Sequence, residues 1–212
     1  MSSKFITTQF HLSEKLLKLS FLAVILSLTL SACSVTPEDT SSENKTSLSP
    51  ANNAALSEAV AAMKSGDYKN AQSLLLELIN KQPNIANAHV NLGIVYIKNK
   101  SFDEAENSFN RALKINPNNI YALNQLGFLF RKQGDFAKAK ASYEKAISIK
   151  SDYTNAHLNL GILYDLYLYD LDKAIEHYEI YKELSTENAK QTEKWIFELK
   201  IRQKKSLAQK QQ

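Results

Sequence analysis

The feature that most restricts this chain is internal repetition. Leu92-Gly93, Leu126-Gly127 and Leu160-Gly161 recur every 34 residues, and three positions after each Gly stands an aromatic side chain, Tyr96, Phe130 or Tyr164. Ala105 and Ala139 follow their glycines by 12 residues and Ala174 by 13, which places a one-residue insertion in Tyr167-Leu168-Tyr169-Asp170. Four residues beyond these alanines come Phe109, Tyr143 and Tyr178. Ala112 and Ala146 follow in the first two units, and Pro83, Pro117 and Ser151 occupy equivalent closing positions. A period of this length marks a stack of supersecondary units, none of which can bury its apolar face without its neighbours. Only five Gly and four Pro interrupt segments rich in Ala, Leu, Lys, Glu and Asn, so the units are expected to be helical.

These landmarks resemble the tetratricopeptide-repeat (TPR) family, whose units are helix-turn-helix pairs. The resemblance runs from about residue 53 to 184 and implies an all-α solenoid of about four repeats. Their expected bounds are 53–85, 86–119, 120–153 and 154–186, with a capping helix and tail over 187–212. Gly93 and Ala105 are small so that the two helices of a unit approach closely, aromatic residues fill the space beside them, and Ala112 lets the next unit stack. The proline ends a second helix, and Asn118 and Asp152 then offer acceptors for capping the following first helix. The first unit is degenerate. Gly66-Asp67-Tyr68, Ala71, Leu75 and Pro83 fit, but Ala59 stands for the Gly and Ala62 for the aromatic residue, as terminal repeats often allow. After the fourth unit, Glu187 to about Lys205 reads as a helix with Trp195, Ile196 and Leu199 on one face, suited to covering the open end. Its Lys200, Arg202, Lys204 and Lys205 leave a partner-binding or membrane-surface role as the alternative.

The N-terminus carries an export signal. Lys4, Lys15 and Lys18 precede an apolar run from Phe21 to Leu30, a charged region followed by a hydrophobic one too short for a membrane span of about 20 residues. Directly after it, Leu30-Ser31-Ala32-Cys33 resembles the bacterial lipobox, which implies cleavage of a leader over 1–32 and acylation of Cys33. An ordinary signal peptide or an uncleaved anchor are the alternatives. Ser34 stands where an inner-membrane retention signal would usually have Asp, so the resemblance implies the periplasmic face of an outer membrane. Acyl chains contribute about 0.8 kcal/mol per buried CH₂, so more than one of them anchors a domain stably. Residues 33–52 are Ser, Thr, Asn, Glu and Pro with almost no large apolar side chain, and read as a flexible tether.

Residues able to carry other chemistry are few. Cys33 is the only cysteine, which excludes an internal disulfide or a multi-thiolate metal site. A net charge of +4 with mixed signs does not form the basic stripe that nucleic acid requires. His89 and His157 share a repeat position that carries a packing residue, two units apart, and His177 stands alone; no metal, cofactor or catalytic constellation is expected.

What remains is the concave face formed by stacked first helices. Helical spacing from the Leu-Gly landmarks directs Asn91, Ile94 and Lys98, then Gln125, Phe128 and Lys132, then Asn159, Ile162 and Leu166 toward it. Ala88-His89-Val90-Asn91-Leu92-Gly93 and Ala156-His157-Leu158-Asn159-Leu160-Gly161 resemble the TPR units of O-linked N-acetylglucosamine transferase. In that family a ladder of asparagines binds peptide backbone, which implies the same role for Asn91, Gln125 and Asn159. Amides suit that task because each both donates and accepts. Ile94 and Phe128 would serve as apolar anchors, and Lys98 and Lys132 would favour an acidic peptide.

The expected function is a non-catalytic adaptor that holds one or more envelope proteins in its groove and the membrane through Cys33. Array and anchor together resemble the lipoproteins that stabilise type IV pilus secretins, which carry more repeats. Two alternatives remain: a self-associating structural lipoprotein using Tyr167, Tyr169 and Tyr181, and an accessory subunit of an envelope enzyme or transport complex.

Overall fold

Local signals start and stop each helix. The computed structural model describes residues 49–185 and 187–210. The leader, Cys33 and the tether up to residue 48 lie outside the described residues. Four helix pairs follow: α1 (Pro50–Lys64) with α2 (Tyr68–Lys81), α3 (Ala86–Lys98) with α4 (Phe102–Ile115), α5 (Ile120–Gln133) with α6 (Phe136–Ile149), and α7 (Thr154–Leu163) with α8 (Leu171–Leu184). A last helix, α9, spans Ala189–Lys210. Every regular element among the described residues is helical.

Helix α1 begins three residues inside the expected tether, because Pro50 is pre-set for a first helical turn and the Ser49 side chain accepts from Asn52 N at 3.3 Å. The second helices of units one, three and four share a different device. Asp67, Asp135 and Asp170 accept from the backbone N–H three residues on, at 3.0, 3.1 and 3.1 Å. The residue before each cap is left-handed: Gly66 at φ 82°, Gly134 at φ 83° and Tyr169 at φ 56°, with Lys100 at φ 63° in the second unit. Glycine takes this conformation freely, whereas Lys100 and Tyr169 hold it at a cost of about 1–2 kcal/mol. The expected caps Asn118 and Asp152 are corrected. Asn119 caps α5, accepting from Ala122 N at 2.9 Å, and α7 begins without a side-chain cap.

The inserted residue of unit four is absorbed without a longer loop. Residues Tyr164–Leu168 widen into a π-helical turn, Tyr169 reverses the chain, and Asp170 then starts α8 as its counterparts do.

Within units two, three and four the two helices meet where glycine removes a side chain. A Cβ added at Gly93 would lie 2.5 Å from the Phe109 ring, at Gly127 2.5 Å from Tyr143, and at Gly161 2.7 Å from Tyr178. All three rings are fully buried. Between units, Val90 and Ile94 of α3 pack with Phe109 and Ala112 of α4 and with Ala122, Leu126 and Leu129 of α5. The degenerate first unit joins the same way, Ala59 and Leu75 packing with Ala88, Leu92 and Val95 of the second.

Helix α9 caps the solenoid. Trp195, Ile196 and Leu199 are buried, and the Trp195 ring centroid lies 5.6 Å from that of Tyr178. Burying each such side chain contributes about 1.5–3 kcal/mol. The exposed Lys200–Glu179 pair beside them, at 2.8 Å, belongs to a class worth about 0–1 kcal/mol, so apolar contact holds this helix in place.

Replacing Gly127 by Ala removes a helix penalty of about 1 kcal/mol. The new methyl, however, drives into a buried Tyr143 ring that has nowhere to move, and overpacking costs about 1–3 kcal/mol. Urea unfolding should show Gly127→Ala to be the less stable protein; a stabilised variant would mean the ring is not wedged against the glycine.

Candidate peptide-binding groove

The first helices α1, α3, α5 and α7 lie side by side in order, each touching the next. Two amide pairs tie them together: Asn119 Nδ2 donates to Asn87 Oδ1 at 3.3 Å, and Asn159 Nδ2 donates to Asn124 Oδ1 at 3.0 Å. Asn159 thus spends part of its hydrogen-bonding capacity on its neighbour unit. Asn91 and Gln125 are 4% and 8% exposed, yet neither makes a side-chain hydrogen bond within the described residues and neither has a polar atom sealed from solvent. Both side chains are packed, and their amides reach solvent only over a small area.

The apolar anchors divide. Ile94 and Ile162 are 3% and 2% exposed and therefore core residues, a correction to their expected place on the groove surface. Ile94 follows Gly93 directly, where α3 turns toward α5, and the packing of Ala122 and Leu126 closes over it. Phe128, at the same position of the third unit, stays half exposed, and Lys98 and Leu166 are half exposed as well. Lys132 is exposed, with its Nζ 5.6 Å from the Phe128 ring centroid.

The spacing argument missed Arg131. Its guanidinium lies 5.5 Å from the Phe128 ring and 5.8 Å from that of Tyr167, which in turn packs on Phe136 at 4.8 Å. Arg131 Nε is buried without a hydrogen-bond partner, as are Tyr143 Oη, Tyr178 Oη and Asp165 Oδ2. These four atoms belong to one arrangement repeated with opposite charge. One turn after the glycine stands Ile97 in unit two, Arg131 in unit three and Asp165 in unit four; the buried ring over that glycine is Phe109, Tyr143 and Tyr178 respectively. A phenol replaces the phenyl where the neighbouring position is charged. Burial raises both tyrosines far above the ordinary phenol value, opposed at Tyr143 by Arg131. Asp165 is fully buried in the π-helical turn and paired with Arg202 of α9 at 2.6 Å; burial raises its carboxyl against that cation.

The histidines need one confirmation and one correction. His89 and His157 are buried at equivalent positions, each Nε2–H donating at 2.9 Å to a carbonyl that closes the preceding helix, that of Pro83 or Ser151. Because Ser151 O can only accept, His157 Nδ1 is left as an acceptor. It receives Nδ1–H of His177 at 3.1 Å, so His177 is not alone, and Tyr164 stacks on its ring with centroids 5.8 Å apart. The sequence distance between α7 and α8 concealed this pair. Among the described residues no three His, Cys, Asp or Glu side chains are grouped to hold a metal, and no helix is long and apolar enough to cross a membrane.

Burial lowers the pKa of His177, helped by His157, and burial lowers that of His89 despite its bond to Pro83. A depressed folded pKa means that the unfolded chain takes up protons first, once pH falls below about 6.5. This contribution to stability is therefore complete at neutral pH and lost on acidification. The thermal midpoint should fall between about pH 7 and about pH 5, and His177→Gln should lessen the fall. A midpoint that rises over that window would contradict the pairing.

Residues 84–152 match the tetratricopeptide-repeat family model. No match was found among curated proteins. Among solved structures, the chain is similar to PilF of Pseudomonas aeruginosa at 20% identity and a TM-score of 0.67, over 76% of this chain and 72% of that one. It is similar to MamA of Desulfovibrio magneticus RS-1 at 21% identity and 0.60, over 74% and 89%. Another MamA structure aligns at 24% identity and 0.56, over 66% and 81%. At these identities the likeness concerns the fold. Together with the glycine-and-ring packing of units two to four, the match over residues 84–152 and the likeness of fold show an all-α solenoid of helix pairs similar to TPR solenoids.

Proposed function

We propose that this chain is a non-catalytic adaptor, acylated at Cys33 on the periplasmic face of an outer membrane, that holds an extended segment of an envelope protein in its TPR groove. The observation that carries the groove reading is the pair of packed amides, Asn91 and Gln125, whose polar atoms have no side-chain partner within the described residues and are not sealed from solvent. Fixed donors and acceptors bind a peptide backbone without much loss of side-chain entropy, because the stems are already immobile. The lipobox-like Leu30-Ser31-Ala32-Cys33 supports the anchor, and the fold likeness to PilF accords with the resemblance to pilus lipoproteins.

Self-association is a second reading, moved from its expected site. Tyr181 is 5% exposed, its hydroxyl accepting from Asn188 Nδ2 at 3.1 Å; Tyr167 is engaged with Phe136 and Arg131 and still 37% exposed, and Tyr169 is 73% exposed. Helix α9 adds Phe197 and Leu207, 65% and 54% exposed. Sedimentation at micromolar concentration separates the readings: a monomer favours the adaptor.

Two variants test the proposal. Cys33→Ser should move the protein from the membrane pellet to the soluble fraction, and unchanged sedimentation would remove the lipid anchor. The double variant Asn91→Ala, Gln125→Ala should lose the envelope proteins that wild type captures by crosslinking in intact cells. Capture of the same set by both would exclude the amide row as the contact.

A further inference from the structure

Charge in the third and fourth units is not evenly matched. Three acidic residues of this region have a cation within reach: Asp135 meets Lys138 at 2.9 Å, Asp170 meets Lys173 at 3.2 Å, and Asp165 meets Arg202 at 2.6 Å. Arg131 has no carboxylate within ion-pair distance among the described residues. It occupies in unit three the position that Asp165 occupies in unit four. Where Asp165 is met by a guanidinium from the next helix, Arg131 is met by the rings of Phe128 and Tyr167. Rings hold a guanidinium in a fixed plane and remove part of its water, but they cancel none of its charge. Lys132 adds a second, exposed cation with its Nζ 5.6 Å from the Phe128 ring centroid. The result is an oriented, partly dehydrated fork next to a point charge, which is the arrangement that binds a carboxylate bidentately.

We propose that Arg131 and Lys132 form a subsite for a side-chain carboxylate, Asp or Glu, of an extended acidic segment running through the groove, with Phe128 and Tyr167 as the platform that aims the guanidinium. This rests on the groove reading above. A side-chain source follows from position: Arg131 lies in the third of four helix pairs, so a bound segment continues past it on both sides and its terminal carboxylate falls elsewhere. The buried, unpartnered Arg131 Nε shows that the head of this side chain is committed to the wall and does not swing freely into solvent.

The test uses the full chain in detergent and fluorescein-labelled, C-terminally amidated peptides of alternating Glu and Ser, or of Gln and Ser in place of them. Fluorescence anisotropy should show tighter binding of the Glu peptide. Arg131→Met, which keeps the stem against the rings, should weaken the Glu peptide about tenfold or more and leave the Gln peptide unchanged, the loss of a charge-assisted pair. Arg131→Lys should fall between. Equal affinity of wild type for Glu and Gln peptides overturns the proposal without any variant, and so does failure of the Glu peptide to bind. A Gln peptide with a free terminal carboxylate that binds as tightly as the Glu peptide overturns the side-chain source. The two readings separate cleanly: Asn91→Ala, Gln125→Ala should weaken both peptides alike. If it weakens neither while Arg131→Met still abolishes the Glu preference, the amide row falls and the carboxylate subsite stands.

Discussion

Contact between a helix backbone and an aromatic ring governs this molecule. At Gly93, Gly127 and Gly161 the first helix of a unit presents bare backbone, and the ring of Phe109, Tyr143 or Tyr178 occupies the space a side chain would take. Close approach gives the ring dispersion contacts on its whole face and brings Ala105, Ala139 and Ala174 into the same fully buried layer. Because interaxial distance is set identically three times, each unit presents the same face to the next, and the stack propagates. The first unit reaches the same result with Ala59 and Leu75, both fully buried, where a smaller side chain against a methyl replaces a ring against none.

The same contact also couples the interior to the groove. A ring lying over the glycine points its far end toward the residue one helical turn on. In the second unit that residue is Ile97 and the ring is phenyl; in the third and fourth it is Arg131 or Asp165 and the ring ends in a hydroxyl. Buried charge is tolerated only beside polar groups or an opposite charge. Asp165 obtains the latter from α9, so the capping helix supplies both the apolar cover of Trp195 and Leu199 and the counter-ion for the last unit. Arg131 obtains rings, and no carboxylate lies within ion-pair distance of it among the described residues.

Turn chemistry explains how a one-residue insertion leaves this pattern intact. The second helices of units one, three and four are launched by a left-handed residue followed by a capping side chain, Gly66-Asp67, Gly134-Asp135 and Tyr169-Asp170. The π-helical turn takes up the additional residue before the launch point, so Tyr178 still lands on Gly161. The same widening places Asp165 in the interior and carries Tyr167 to Phe136 and Arg131. An irregularity that looks like a loop variation in sequence is therefore what brings Tyr167 of the fourth unit against Phe136 and Arg131 of the third.

The sequence by itself determined the period, the helix pairs, the glycine and ring positions and the cap by α9. Each of these repeats or follows a 3.6-residue stripe, and a stack can close only if every unit obeys the same short-range rule. Tertiary structure decided what register cannot express. Ile94 and Ile162 are core residues and not groove anchors; Tyr181 is buried; Asn119 caps where Asn118 was expected; His177 meets His157 across two helices. Arg131 belongs to this second class. Its neighbours Phe128 and Tyr167 come from different units, and whether a charge is cancelled or left open depends on which side chain the next helix brings against it, a distance that no spacing along one helix contains.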